Sequence, residues 1–358
     1  MSYTGFGVND ALTNKLYSKD LLAAIRENSD IAALMGSGTG SIIQVKDETK
    51  KASGDRVTFG IRTYLSGDGG TETDVAEGNG ESLSLYSDAV TINELFHVAA
   101  AKSENTIDAQ RVPFNMRNEC RDALADWWAK RWSVSFFNHV CGNTAQTDTK
   151  YTGLNATIGK TSGRRIIAGG QANDQSLTAN DTFTLDLIDK AVEMATVGDN
   201  MIRPITIKGQ KKYVLYLHPY QVTSLRVNSS TGQWQDIQKA AMMGGQVNDN
   251  PIYTGALGEY NSCILRSSQD VTLGVSSAAA TTAVSNTRRA VLLGAQACVA
   301  AFAEGPYSGT RYRWNEELLD HKRKLEVLAT SIFGLKKTQF NSADYGVITI
   351  STYAAAAA

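Results

Sequence analysis

A lysine between a glycine and a hydroxyl can cradle a phosphate, and the chain has one such run at Gly159-Lys160-Thr161. A phosphate loop needs four residues between its first glycine and this triplet, so that its backbone N–H groups converge. Here Gly153 is followed by five, Leu154, Asn155, Ala156, Thr157 and Ile158, before Gly159. No apolar strand precedes the run and Ser162-Gly163 open no periodic helix, so the spacing predicts a surface loop. The four histidines, His97, His139, His218 and His321, fall on separate elements. Glu94 and His97 make one Glu-x-x-His pair, whereas a di-metal bundle needs two such pairs on long helices. On a strand, residues three apart face opposite sides, so structural histidines are expected. Cys120, Cys141, Cys263 and Cys298 lack the Cys-x-x-Cys spacing of a zinc or redox site and read as buried free thiols. Triad chemistry is recognised by geometry, but no Gly-x-Ser-x-Gly elbow points to it. The expectation is no catalytic residue, no metal and no cofactor.

The remaining charged constellation is acidic. Asp68, Glu72, Asp74, Glu77 and Glu81 lie within SGDGGTETDVAEGNGES, residues 66–82. Their spacing lacks the alternating ligands of a calcium loop, which leaves a solvated or subunit-bridging loop. Strand-like segments flank it, with Val45, Val57, Phe59 and Ile61 leading out and Ala89 to Ala101 leading back. Two strands around a long polar middle describe a protruding hairpin, and a loop of this length is functional or disordered.

The elements that must carry these residues are legible from periodicity. Residues 2–40 hold a polar lead and a short amphipathic helix with Leu21, Leu22, Ile25 and Leu34, an arm rather than a domain. Pro113 opens a long helix reaching about Val140, proline being suited to a first turn. Leu124, Trp128, Trp132, Phe136 and Val140 recur every fourth residue, and Met116, Cys120, Ala123, Trp127, Val134 and Phe137 form a second row. Together they make a broad apolar face. A polar stretch follows Gly142. Then come a helix over Thr184–Val197 capped by Gly198, a hairpin over Pro204–His218, and shorter helices from Pro219 and Gln233. Lys324–Phe333 is apolar on both alternate faces, Leu325, Val327 and Phe333 against Leu328 and Ile332, as in a strand buried on both sides. After Gly334, Asn341-Ser342-Ala343-Asp344 supplies turn chemistry, Gly346 can adopt an angle other residues avoid, and Val347–Thr352 forms a last strand.

The 358 residues, 42% hydrophobic and 20% charged, suit one large or two intimate folded domains. A formal charge of −1 gives no electrostatic case for direct nucleic-acid binding. No run approaches the ~18 apolar residues of a membrane span. Met1–Val8 lacks the basic and apolar regions of a leader, so folding in a cytoplasm is expected.

The closing run GLKKTQFNSADYGVITI resembles the end of N4-type major capsid proteins, a branch of the HK97 capsid-fold family, which finish in G-x-K-K-T-x-F-x…D-[FY]-G-V-I. The matching residues are Gly334, Lys336, Lys337, Thr338, Phe340, Asp344, Tyr345, Gly346, Val347 and Ile348. Further matches are Gly255, Leu257, Gly258, Tyr260 and Asn261 (G-x-L-G-x-Y-N) and Leu292, Leu293, Gly294, Gln296 and Ala297 (LLGxQA). Leu124, Asp126 and Trp127 fit the family's spine pattern. The resemblance implies an α+β HK97-like fold: an N-terminal arm (1–44), an extended loop (45–102, tip 66–82), a peripheral domain (103–142 and 311–358) and an axial domain (143–310). Its spine helix would have Leu124, Trp127, Trp128, Trp132 and Phe136 at its core. The implied function is the icosahedral shell around packaged double-stranded DNA, without sequence-specific binding. Implied partners are copies of the chain in hexamers and pentamers, a portal, and scaffolding or decoration proteins, with no membrane. Assembly would take place in a bacterial cytoplasm. The acidic loop residues would contact an adjacent subunit, and residues 320–352 would complete the peripheral sheet. Lys336 and Lys337 would be inner-surface or inter-subunit charges. With no lysine between Ala52 and Lys102, the loop lacks the side chain for the Lys–Asn crosslink of some HK97-type shells. A tail-tube or sheath subunit and an uncharacterised soluble enzyme are the alternatives, which negative-stain microscopy separates.

Overall fold

A computed structural model describes residues 31–46, 54–62, 67–78, 80–82, 85–102, 106–107, 111, 115–161, 163–197, 201–207, 209–228, 258–276, 281–303 and 311–356. Most of the N-terminal arm, Pro113, Gly198, the helix expected from Gln233 and the motif positions Gly255 and Leu257 lie outside them.

The long helix runs Met116–Val140 behind Asn115, whose side chain accepts from the Arg117 N–H. That bond satisfies one of the donors every helix start leaves open. The helix packs on a six-stranded sheet ordered Met35–Gly36, Ile43–Lys46, Cys298–Ala303, Lys324–Lys337, Tyr312–Leu319, with Asn93–Lys102 on the other side of the long strand. Fourfold spacing puts Trp128 and Trp132 above one another, and both meet the sheet: Trp128 lies 6.1 Å and Trp132 4.6 Å from Phe333, ring to ring. Arg117 reaches the buried Glu316 at 2.7 Å, fixing the helix start to the sheet.

A seven-stranded sheet is ordered Arg165–Ile167, Val347–Tyr353, Thr287–Leu293, Gln210–Leu217, Cys263–Ser267, Glu259–Tyr260, with Ile205–Ile207 paired to Gln210–Leu217. Alternation sends Ala290, Leu292, Ile348 and Ile350 toward Ile188, Ala191 and Ala195 of the helix Leu185–Val197. Val291, Leu293 and Val347 share the core that holds Phe136, Phe137 and Val140, so the long helix serves both sheets.

Two expectations are corrected. The last strand does not complete the sheet of Lys324–Lys337; it pairs with Thr287–Leu293 and Arg165–Ile167 in the second sheet. Finally, Lys324–Lys337 is covered on one face and only half-covered at Glu326, Leu328, Ile332 and Lys336 on the other.

Candidate functional site

Two of the chain's passages between its sheets run side by side, at 294–297 and at 338–346. The Gly294 N–H donates to the Gly346 carbonyl at 2.9 Å, and the Thr338 N–H to the Ala297 carbonyl at 3.2 Å. Gly346 is needed here for closeness, not for an unusual angle: a Cβ would sit 2.8 Å from the Ala295 oxygen and the Ala297 Cα. The unusual angles fall instead on Asn341 (φ 49°) and Ser342 (φ 58°), which turn the small hairpin between Phe340 and Ala343.

Successive residues of a strand point to opposite faces, so the two motif lysines part company. Lys337 turns inward, its side chain 1% exposed, and meets Asp344 at 2.9 Å and the Gly159 carbonyl at 3.2 Å. Asp344 also accepts from Gln339 Nε2 (2.7 Å) and the Thr161 N–H (3.2 Å). Burial lowers the Lys337 pKa against the pull of Asp344. Lys336 turns the other way, onto the Asp88 carboxylate, and donates to the Ala89 carbonyl at 3.3 Å. Lys337 is thus an internal tie and not a surface charge, while Lys336, half-buried, ties the long strand to Asp88. The partners at Asp88 and Gly159 are far away in sequence, which is why no local pattern announced them.

A second buried cluster adjoins the first. Asp174 accepts from Arg289 Nε at 2.7 Å and from the Val275 N–H at 3.2 Å, and pairs with Lys160. Arg289 also donates to the Cys141 (3.2 Å) and Gly142 (2.6 Å) carbonyls, capping the long helix, as cations favour a helix C-terminus. Lys160 bonds Ser351 Oγ at 2.8 Å in the last strand. Burial pushes Asp174 up, but the charges of Arg289 and Lys160 outweigh it and hold the carboxyl at about 2. Burial, helped by Arg289, brings Lys160 down to about 8. The Gly159-Lys160-Thr161 loop is therefore not a plain surface loop: its lysine is a buried tie between helix end, loop and sheet. His139, beside it, is dropped to about 4 by burial and is neutral at pH 7, with Nε2 facing the Thr152 carbonyl at 2.9 Å.

The same junction roots the acidic hairpin. Arg56–Arg62 pairs antiparallel with Leu85–Thr91, and after Ile92 the return path joins the first sheet as Asn93–Lys102. Val57, Phe59, Val90 and Ile92 pack on Val299 and Ala301, with Phe340 against Phe59 at 6.2 Å and against Tyr345 at 5.4 Å. The Asn155 amide mimics a strand, pairing both with the Thr91 N–H (2.9 Å) and its carbonyl (2.8 Å). Gly334 lets the ribbon cross the long strand, since a Cβ there would stand 2.3 Å from the Thr91 oxygen.

Beyond this root every described residue from 67 to 82 is exposed. Asp74 accepts from the Thr71 N–H (2.8 Å) and hydroxyl (2.9 Å), and Glu81 accepts from the Gly67 N–H at 2.8 Å. These bonds shape the tip from within. Asp68, Glu72 and Glu77 make no hydrogen bond or ion pair among the described residues.

Leu124, Trp128, Trp132 and Phe136 are buried, while Trp127 is half-buried, stacked on His97 at 4.3 Å under Arg131. The four cysteines are buried and unbridged. Among the described residues no three His, Cys, Asp or Glu side chains group to hold a metal, and no helix is long and apolar enough to cross a membrane. Sequence reasoning missed Asp174, Arg289, Asp88 and Asn155. The one signal was charge inside apolar strands, as at Arg289.

A sequence profile of the phage capsid protein family matches residues 5–356. The major capsid protein of Pseudomonas phage KPP25 is 24% identical over 383 residues, spanning 98% of this chain and 97% of that protein. The capsid of Ralstonia phage GP4 superposes with a TM-score of 0.77 at 28% identity, over 99% of this chain and 95% of its own. The capsid of cyanophage Pam1 does so with 0.70 at 19% identity, over 92% and 93%. The two sheets, the long helix and the protruding ribbon are the HK97-like capsid fold. Matched along nearly its whole length in sequence and in fold, the chain belongs to the phage capsid protein family and serves as the major capsid protein of a tailed phage.

Proposed function

We propose that the chain is of the N4-type branch and builds its shell from hexamers and pentamers by laying the ribbon tip, residues 67–82, on an adjacent copy. The observation that carries this is the contrast along the ribbon. Its root is held by Asp88–Lys336, Asn155–Thr91 and an apolar cluster, while every described residue of its tip is exposed. A ribbon aimed so firmly from one end has its use at the other. The six-stranded sheet with the long helix serves as the peripheral domain and the seven-stranded sheet as the axial domain, with the arm beneath neighbouring copies. Many weak contacts per subunit make a strong shell. A charge of −1 offers packaged double-stranded DNA no strongly attractive wall. Portal and scaffolding or decoration proteins would be the other partners, met in the host cytoplasm where shells assemble.

Deleting 67–80 tests the reading. The expected product is a folded subunit, with unchanged circular dichroism, that forms no stable shells. Normal shells from this variant would refute it.

A further inference from the structure

The ribbon tip carries negative charge without compensation: from Thr63 to Ala101 there is no lysine or arginine. Two of its five carboxylates, Asp74 and Glu81, are used inside the tip, which leaves Asp68, Glu72 and Glu77 facing outward. A turn of matching sign lies at the end of the first sheet. Between Tyr312–Leu319 and Lys324–Lys337, the hairpin turn Asp320–Arg323 exposes Lys322 and Arg323, with Lys324 beside them. Among the described residues none of these three cations makes an ion pair.

The turn is costly to hold. Asp320 (φ 52°), His321 (φ 53°) and Lys322 (φ 68°) are all left-handed, a conformation that disfavours any side chain by roughly 1–2 kcal/mol each. The Arg323 N–H closes it onto the Leu319 carbonyl at 3.1 Å. Glycine would relieve the strain; the turn instead presents long cations from a fixed backbone. Lys102 lies opposite Lys324 across the sheet and adds to the positive end. One step inward the sign reverses, with Glu317 opposite Glu326. Acidic groups are therefore welcome at the turn and repelled beyond it, which fixes how far a docked loop can advance.

We infer that Asp68, Glu72 and Glu77 of one copy dock on the Lys322–Lys324 turn of a second copy. The inference rests on the reading that the tip lies on a neighbour, and it names where and by what force. Among the described residues Asp68, Glu72 and Glu77 make no pair with Lys322, Arg323 or Lys324 of their own chain.

Charge exchange in the full-length chain tests it. Glu72→Lys with Glu77→Lys reverses the tip, and Lys322→Glu with Lys324→Glu reverses the turn; circular dichroism confirms that each variant folds. Sedimentation then gives the subunit concentration at which shells appear. Each reversed pair should raise it about tenfold or more, the sum of a few exposed ion pairs, and all four changes together should restore it. A four-fold variant no better than the two-fold ones would overturn the pairing. So would a turn reversal that leaves assembly intact, including one that only lowers the DNA retained by the shells, which would make nucleic acid the turn's partner. If the 67–80 deletion abolishes shells while no reversal has any effect, the neighbour contact stands and the ionic docking falls. If the deletion is harmless too, both fall.

Discussion

Asp344→Asn removes a charge and almost no volume, so it isolates what the buried pair at the crossing does. The asparagine has one acceptor oxygen in place of two: kept toward Gln339 Nε2 it leaves the Thr161 N–H facing an amide NH2, and in either orientation Lys337 loses its counter-charge and holds only neutral acceptors such as the Gly159 carbonyl. Breaking a buried pair from one side costs about 3–5 kcal/mol, because the remaining charge is stranded. The loss has a ceiling. Lys337 can shed its proton, and neutralising an ordinary lysine at pH 7 costs about 5 kcal/mol, roughly 3.4 pH units at about 1.4 kcal/mol each. The variant should therefore lose about 3–5 kcal/mol at pH 7, a large share of the ~5–15 kcal/mol of a typical domain. The sign of the pH dependence follows. A lysine whose folded pKa is depressed binds fewer protons folded than unfolded, so stability rises with pH. Burial already lowers Lys337 in the native chain, with Asp344 opposing it; without Asp344 it falls further, and the deficit narrows from pH 7 toward pH 10. Urea unfolding followed through the buried Trp128, Trp132 and Trp314 reports this directly. A loss under about 1 kcal/mol at pH 7, or a deficit equal at pH 7 and pH 9.5, would refute the reasoning.

Two further predictions concern the same junction. Gly334→Ala pushes a methyl group into the Thr91 carbonyl, a backbone atom that can yield only by moving the ribbon root. Overpacking of this kind costs about 1–3 kcal/mol, and limited proteolysis should cut the variant's ribbon faster than the parent's. Asp174 is held at about 2 against a usual 3.8, so its contribution, about 2 kcal/mol, is present above pH 4 and lost as pH falls toward 2. Asp174→Asn should flatten the stability profile in that window; an unchanged slope there would count against the Arg289 and Lys160 contacts.

What could be read from the sequence was what repeats locally. Leu124, Trp128, Trp132 and Phe136 state a helix face by spacing alone, and the Gly- and acid-rich run 66–82 states a protrusion by having nothing to bury. The crossings between sheets were illegible, because AVLLGAQACVAAFA is apolar apart from Gln296 and a glycine and one polar residue do not by themselves mark where one sheet ends. Gly294 was visible as a motif letter, but not that the chain changes sheets there. Lys336 and Lys337 looked like surface charge for a similar reason: a lysine pair is usually solvated, and only the fold brings Asp88 and Gly159 beside them. Lys160 misled in the same way. The positions sequence reasoning misjudged each have a partner far off in sequence, Lys336 with Asp88, Lys337 with Gly159 and Lys160 with Ser351, and they gather where the ribbon, the helix end and the two sheets meet.

The central claim is that a rigidly rooted ribbon reaches from one copy to the next to close a shell. Electron cryomicroscopy of particles assembled from the full-length chain tests it most directly. Closed icosahedral shells with residues 67–82 seated on a neighbouring copy are predicted. Open tubes, small discrete particles, or a tip resting on its own chain would contradict it.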